Sequence, residues 1–185
     1  MDYIFEELFL KCEVIPIEYD DAVYKRVLDY AKRRADAKSI EKHHLQDNSN
    51  EVTRIITGTL GEIALEHILG FNIVDWSIGN SNDYNDPDVP GYRVGIKNVE
   101  YGKFPVIFKK NYYPQIICVV KKDLHTVYVC GLATTDVLNQ YQTDDLILSP
   151  KLKSRGTKTG FFGFEHLIPV RSISDIAKYK EEVYR

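Results

Sequence analysis

Two short stretches decide the fold, GTLGEIALE at residues 58–66 and YRVGIK at residues 92–97. The first stretch predicts the middle of a helix over about residues 51–69, and the second predicts a strand. Gly58 and Gly61 inside the helix would each cost about 1 kcal/mol relative to alanine. We therefore expect the helix to pack closely against a sheet, where small residues let two backbones approach each other.

Three charged residues in or near these stretches are candidates for one site. Glu62 lies on the helix, Asp88 ends a long polar loop, and Lys97 lies on the strand. Asp86 in the same loop is ranked after Asp88, because Pro87 stiffens the approach to Asp88. Carboxylate oxygens are the ligands that hard divalent cations prefer. We expect Glu62, Asp88 and Lys97 to meet at one edge of a central sheet.

This arrangement resembles the PD-(D/E)xK nuclease superfamily over about residues 50–135. The resemblance implies an α/β, restriction-endonuclease-like αβββαβ core, with a central mixed sheet flanked by helices. It also implies that Glu62, Asp88 and Lys97 are catalytic. The implied metal is Mg²⁺, with Mn²⁺ able to substitute, and its implied ligands are Glu62, Asp88 and the main-chain carbonyl of Ile96.

The sequence departs from the family pattern at Gly95, where the family has Asp or Glu. On this reading Gly95→Glu would restore a third carboxylate beside Lys97 and raise cleavage, and it would not weaken the fold unless Gly95 holds a bulge or a positive φ. Glu100 is an alternative ligand, but strand alternation places it on the face opposite Lys97 unless a bulge resets the register. Glu66 lies one helical turn after Glu62 and either supports the site or is solvated.

The composition predicts an ordinary soluble protein, and we expect a single domain over residues 1–185. Hydrophobic residues make up 44% and charged residues 28% of the chain, as in globular proteins. No apolar run reaches the roughly 20 residues of a membrane span, so we expect no membrane partner and a cytoplasmic location. Cys12, Cys118 and Cys130 form no CxxC pair, and we expect reduced thiols.

The distribution of basic residues predicts a nucleic-acid contact although the formal net charge is −3. Positive charge is needed only where phosphates lie. The expected contact residues lie in a pair after the strand expected at residues 104–108 and in a basic loop over residues 151–160: Lys109, Lys110, Lys151, Lys153, Arg155 and Lys158. Aromatic residues at 161–164 follow this loop and could stack bases. The alternative is a solvated loop that leads into a core strand.

The remaining elements follow from periodicity and turn residues. We expect an N-terminal helix at residues 20–37, strands at 71–76, 104–108, 115–121 and 125–132, and helices at 135–141 and 174–184. The proline of the segment at residues 14–17 limits it to an edge strand or a connection. His43 and His44 lie in a polar loop, and either are surface residues or assist a metal site.

The first functional hypothesis is an Mg²⁺-dependent endonuclease of the restriction or phage type that hydrolyses DNA phosphodiester bonds. Double-stranded DNA is the expected partner, and cleavage of both strands favours a homodimer. The alternative is a nuclease-like fold without chemistry that binds nucleic acid or a protein, with Gly95 as its main support. A third reading is an unrelated α/β structural protein.

Overall fold

The computed structural model describes residues 2–39, 48–79 and 88–181. Its helices are α1 (Asp2–Phe9), α2 (Asp21–Ser39), α3 (Asn48–Leu69), α4 (Thr135–Gln140) and α5 (Pro150–Arg155). Its strands are β1 (Ile15–Glu18), β2 (Gly95–Glu100), β3 (Val106–Phe108), β4 (Gln115–Val120), β5 (Thr126–Ala133), β6 (Gln142–Thr143) and β7 (Lys158–Phe161). Short 3₁₀ helices cover Asp144–Leu146, Phe164–His166 and Ile173–Tyr179.

The main sheet is mixed and has the strand order β1-β5-β4-β2. The β2 and β4 strands are parallel, whereas β5 pairs antiparallel with β4 and with β1. Every residue of β4 is buried, as the continuous apolar run predicts for a strand covered on both faces. Pro16 lies in the edge strand β1, where the lack of its N–H is tolerated. The chain is therefore an α/β protein with a mixed sheet between helices.

Different elements cover the two faces of this sheet. Helices α2 and α3 cover one face, and their apolar core includes Leu60, Ile116 and Val127. The opposite face packs against α1, α4 and a small sheet of strand order β3-β7-β6. Phe5 and Phe161 are fully buried in that second core. The two cores lie on opposite faces of the main sheet, and α3 packs directly on β2 in the first of them.

A notch in α3 receives a side chain from β2. The Asn98 amide donates a hydrogen bond of 2.8 Å to the Gly58 carbonyl, and a Cβ atom at Gly61 would overlap the Asn98 amide. The close packing expected from the interior glycines is therefore confirmed at Gly61. Gly58 differs, because a Cβ there would meet no atom within 4 Å. Glu62 follows the notch and is held over the edge of the sheet.

The prediction of a strand at residues 71–76 is wrong, because main-chain N–H groups of this segment bind a side chain and not a neighbouring strand. The Glu66 carboxylate accepts hydrogen bonds from the main-chain N–H groups of Ile73 and Val74, at 2.8 and 2.9 Å. These bonds hold the segment after α3 in an irregular path. Glu66 therefore has a structural role in the turn after α3.

Two other element predictions need correction. The strand expected at residues 104–108 is reduced to Val106–Phe108, and it joins the small sheet because it pairs with β7. The C-terminal helix expected from residue 174 is a 3₁₀ helix at Ile173–Tyr179, which begins with a capping box between Ser172 and Asp175. The three cysteines are free thiols, as expected.

Candidate functional site

A cleft of about 400 Å³ lies between α3 and the free edge of β2. Glu62, Asp88, Ile96 and Lys97, the four residues expected to be catalytic or to bind metal, all line it. The bare backbone of Gly58 forms part of its wall. Because β2 is an edge strand, no other strand pairs with it on the side away from β4, and the cleft lies on that side.

Asp88 is tied to the edge of β2 through main-chain hydrogen bonding. Its carboxylate accepts a bond of 2.7 Å from the Ile96 N–H. The preceding residue, Gly95, donates its N–H to the Pro114 carbonyl on the β4 side. Because successive residues of a strand direct their N–H and C=O groups to opposite sides, the Ile96 carbonyl points to the free edge beside Asp88. A carboxylate and a main-chain carbonyl thus share this edge.

Glu62 is a partly buried acid with a shifted titration. Burial raises its pKa to about 7, and the nearby negative charge of Asp88 acts in the same direction, whereas Arg34 acts in the opposite direction. The repulsion between two carboxylates that lie close together is relieved when a cation binds between them. The pair of acids is therefore suited to binding a divalent cation.

Lys97 borders the cleft from the other side of the edge strand. Asn98 faces α3, so strand alternation directs Lys97 to the opposite face. Its side chain makes no ion pair or hydrogen bond with any residue that the structure describes. An unpaired ammonium at the rim of a cleft is available to a phosphate.

No acidic residue stands at the position where the family has its second carboxylate. The Gln115 side chain fills the space beside Gly95, with its Nε2 atom 2.8 Å from where a Cβ would lie. The β2–β4 register is unbroken, so no bulge moves Glu100 to the Lys97 face. Glu100 lies in the cleft wall and pairs with Lys103 at 3.0 Å. Within the described ranges, no group of three His, Cys, Asp or Glu residues could hold a metal ion.

The donor set still fits Mg²⁺ bound mainly by water and substrate. Glu62, Asp88 and the Ile96 carbonyl supply oxygen atoms, and Mg²⁺ commonly uses one or two carboxylates together with waters and phosphates. The Glu62, Asp88 and Ile96 oxygens would hold the ion without a third carboxylate.

Two arginines that were not among the expected site residues lie beside Glu62. Arg34 and Arg54 line a smaller cavity of about 180 Å³ that shares Arg54, Gly58 and Glu62 with the cleft, so Arg54 lines both. Arg54 pairs with Glu51 at 3.0 Å, and Arg34 donates to the Tyr30 hydroxyl at 3.0 Å. Their position depends on the packing of α2 against α3, for which the sequence carries no local signal.

The two expected basic segments form one surface. Strand β3 pairs with β7, so that Phe108 stands opposite Lys158, and the Lys109 N–H donates to the Thr157 carbonyl. The expected loop at residues 151–160 is wrong as a loop: it forms α5, which Ser149 caps, and the start of β7. The α5 cations Lys151, Lys153 and Arg155 are nevertheless exposed, whereas Lys158 at the start of β7 is half-buried.

The aromatic residues of this surface differ from the expected ones. Phe161 and Phe164 are fully buried in the second core and cannot stack bases. Phe108 and Tyr112 are exposed instead, with 46% and 69% of their surface accessible. Lys109 forms an ion pair of 2.6 Å with Asp144, so part of its charge is already compensated. The exposed aromatics lie next to the basic pair that the sequence analysis selected.

Three of the sequence candidates, Asp86, His43 and His44, lie outside the described residues. In the part of the chain that is described, no helix is both long and apolar enough to cross a membrane. No protein-family model matches the chain, and comparisons with curated proteins and with solved structures found no match.

Proposed function

We propose that the protein is a metal-dependent nuclease that hydrolyses phosphodiester bonds in nucleic acid, with DNA as the preferred substrate. One observation carries the proposal: Glu62, Asp88, Ile96 and Lys97 line a single cleft at the free edge of β2. The order α3, β2, β4, β5, α4 supports the αβββα part of a restriction-endonuclease-like core, whereas β3 and the strands after α4 lie in the small sheet.

Each residue has a separate role in this proposal. Glu62, Asp88 and the Ile96 carbonyl would hold Mg²⁺ or Mn²⁺ through oxygen atoms, and the bound ion would polarise a phosphoryl oxygen and acidify an attacking water. Lys97 contacts the scissile phosphate and stabilises the negative charge that grows in the transition state. The basic surface holds the flanking phosphates.

A nuclease that cuts both strands of a duplex needs one such cleft for each strand, which favours a homodimer. A nucleic-acid substrate also agrees with a cytoplasmic location.

Cleavage of a supercoiled plasmid tests the proposal. The parent protein should nick or linearise the plasmid with Mg²⁺ or Mn²⁺ and not with EDTA. Lys97→Ala and Glu62→Gln should each lower the rate by at least a hundredfold, which corresponds to about 2.7 kcal/mol of transition-state stabilisation. Lys103→Ala is the control, because Lys103 lines the same cleft but pairs with Glu100. Equal rates for Lys97→Ala and Lys103→Ala would contradict the proposal.

A second candidate is a nuclease-like fold that binds nucleic acid without cutting it. The contact between Gly95 and Gln115 favours it, because a neutral amide fills the space of the expected second carboxylate. This candidate predicts no metal-dependent nicking and unchanged binding in Glu62→Gln. The plasmid assay and a binding assay with the same variant separate the two candidates.

A further inference from the structure

The loop between β3 and β4 carries an exposed aromatic side chain at a fixed place. Asn111 is buried and forms paired amide contacts with Asn139: its N–H donates to Asn139 Oδ1 at 2.9 Å, and the Asn139 amide donates back to the Asn111 carbonyl at 3.3 Å. The side-chain amide of Asn111 also donates to the Phe108 carbonyl at 2.8 Å. The loop is therefore anchored at its centre, while Lys110 and Tyr112 on either side remain exposed.

Cations accompany both exposed rings of this surface. The Lys158 Nζ atom lies 3.1 Å from the centre of the Phe108 ring, and the Lys110 Nζ atom lies 5.3 Å from that of Tyr112. Among the described residues, Phe108 and Tyr112 are the large aromatic side chains that remain exposed. Lys110 forms no ion pair with any residue that the structure describes. Exposed rings alternating with ammonium groups match the bases and phosphates of a single strand.

The loop also lies close to the cleft. Its last residue, Pro114, accepts the hydrogen bond of the Gly95 N–H, and the next residue of β2, Ile96, donates to Asp88. Tyr112 precedes Pro114 by two residues, which is at most about 7 Å of chain. A strand bound at Tyr112 can therefore continue toward the Asp88 end of the cleft.

We propose that residues 108–112, together with Lys158, bind a single-stranded segment of nucleic acid, with one base stacked on the Tyr112 ring and phosphates beside Lys110. This inference deepens the proposed function, and rests on it only for the statement that the bound strand leads to a cleavage site. A duplex keeps its bases stacked inside the helix and cannot offer a base face to Tyr112, so the surface should discriminate between the two forms.

Fluorescence anisotropy with a labelled oligothymidylate of about 12 nucleotides tests the inference, since sites of this kind span roughly 4–16 nucleotides. The buffer contains EDTA, so that binding is measured without cleavage. We expect Tyr112→Ala to weaken binding about tenfold, because a stacked base contributes about 1–3 kcal/mol. Tyr112→Phe keeps the ring and should bind like the parent. Leu10→Ala is the control, since Leu10 is 79% exposed on the chain just after α1.

A duplex of the same length, an oligodeoxyuridylate and an oligouridylate complete the experiment. Tyr112→Ala should change duplex affinity less than twofold, and the tighter of the two uridylates identifies the preferred sugar, because both carry the same base. Equal binding of oligothymidylate by Tyr112→Ala and the parent would overturn the inference, as would an equal loss for duplex and single strand. Binding in EDTA that depends on Tyr112, together with no plasmid cleavage when Mg²⁺ or Mn²⁺ is supplied, would overturn the proposed nuclease but not the strand-binding surface. Metal-dependent cleavage with unchanged Tyr112→Ala binding would remove only the strand-binding surface.

Discussion

The Gln115 side chain lies against Gly95, in the space that a Cβ atom at that position would occupy. Gln115 begins β4 directly opposite Gly95 in the parallel pair, and its side chain is 5% exposed. Its Oε1 atom is buried and has no hydrogen-bond partner among the described residues. The glycine therefore makes room for a neighbouring amide, and a new side chain there would have to displace it.

Gly95→Glu alone should lower the free energy of unfolding by about 1–3 kcal/mol, the usual cost of overpacking a well-filled site. This prediction differs from the expectation drawn from the sequence, because the Gln115 side chain occupies the space that a strand glycine would leave open. Gly95→Glu combined with Gln115→Ala should regain stability and, with the space opened, bind Mg²⁺ more tightly than the parent. Urea unfolding and metal titration of the parent, both single variants and the double variant measure this. A Gly95→Glu variant as stable as the parent would contradict the packing argument.

Gly61 and Gly58 offer a matched pair of substitutions in one helix. Gly61→Ala should destabilise the protein by about 1–3 kcal/mol, because the new methyl overlaps the Asn98 amide. Gly58→Ala meets open space and should stabilise it by about 0.5–1 kcal/mol. Thermal unfolding measures both. Adding Asn98→Ala to Gly61→Ala should recover part of the loss, and failure of that rescue would show that the notch is not the cause.

The limits of sequence reasoning are visible at particular residues. Local periodicity is enough to predict α3 and β4, since apolar spacing reports burial directly. The role of Glu66 is not predictable in this way, because its carboxylate acts on N–H groups seven and eight residues later. The contact between Gly95 and Gln115 depends on the pairing of two strands that are separated by β3. Such contacts arise only after the chain has folded.

Salt dependence distinguishes the paired from the unpaired cations of the basic surface. Lys151, Lys153 and Arg155 form no ion pair with any residue in the described ranges, whereas Lys109 pairs with Asp144. Replacing all three α5 cations by alanine should reduce the slope of log K against log salt by about 2 for a single strand, at roughly 0.7 per phosphate contact. Lys109→Ala should change the slope less. An unchanged slope in the triple variant would show that the bound strand does not contact the α5 cations.

His125 joins the β4–β5 turn to the start of α2. Its Nε2 atom lies 2.9 Å from Asp21 Oδ1, and its Nδ1 atom lies 2.7 Å from the Asp123 carbonyl. The hydrogen bonds to Asp123 and Asp21 raise the pKa of His125. The contact should therefore stabilise the protein fully below the histidine's unfolded pKa and be lost as pH rises through the raised folded value. His125→Gln and Asp21→Asn should each reduce the change in the free energy of unfolding over the same pH range. Effects in different pH ranges would show that the two residues do not act through one contact.

Glu62 should set a second pH dependence, because its pKa in the folded protein is about 7, above the ordinary glutamate value of 4.5. Between these two pKa values the folded state binds the proton more tightly than the unfolded state. The free energy of unfolding therefore falls as pH rises and levels off above about pH 7. The total fall is at most about 3 kcal/mol, because a difference of one in pKa corresponds to about 1.36 kcal/mol.

Glu62→Gln removes this charge and should stabilise the metal-free protein at pH 8 more than at pH 5. Glu18→Gln, at an exposed acid on β1, is the control and should leave the profile unchanged. Urea unfolding in EDTA across this range gives the comparison. If Glu62→Gln shifts the free energy of unfolding equally at both pH values, burial and Asp88 do not disfavour the ionised form of Glu62. A bound cation would then have no repulsion between the two carboxylates to relieve.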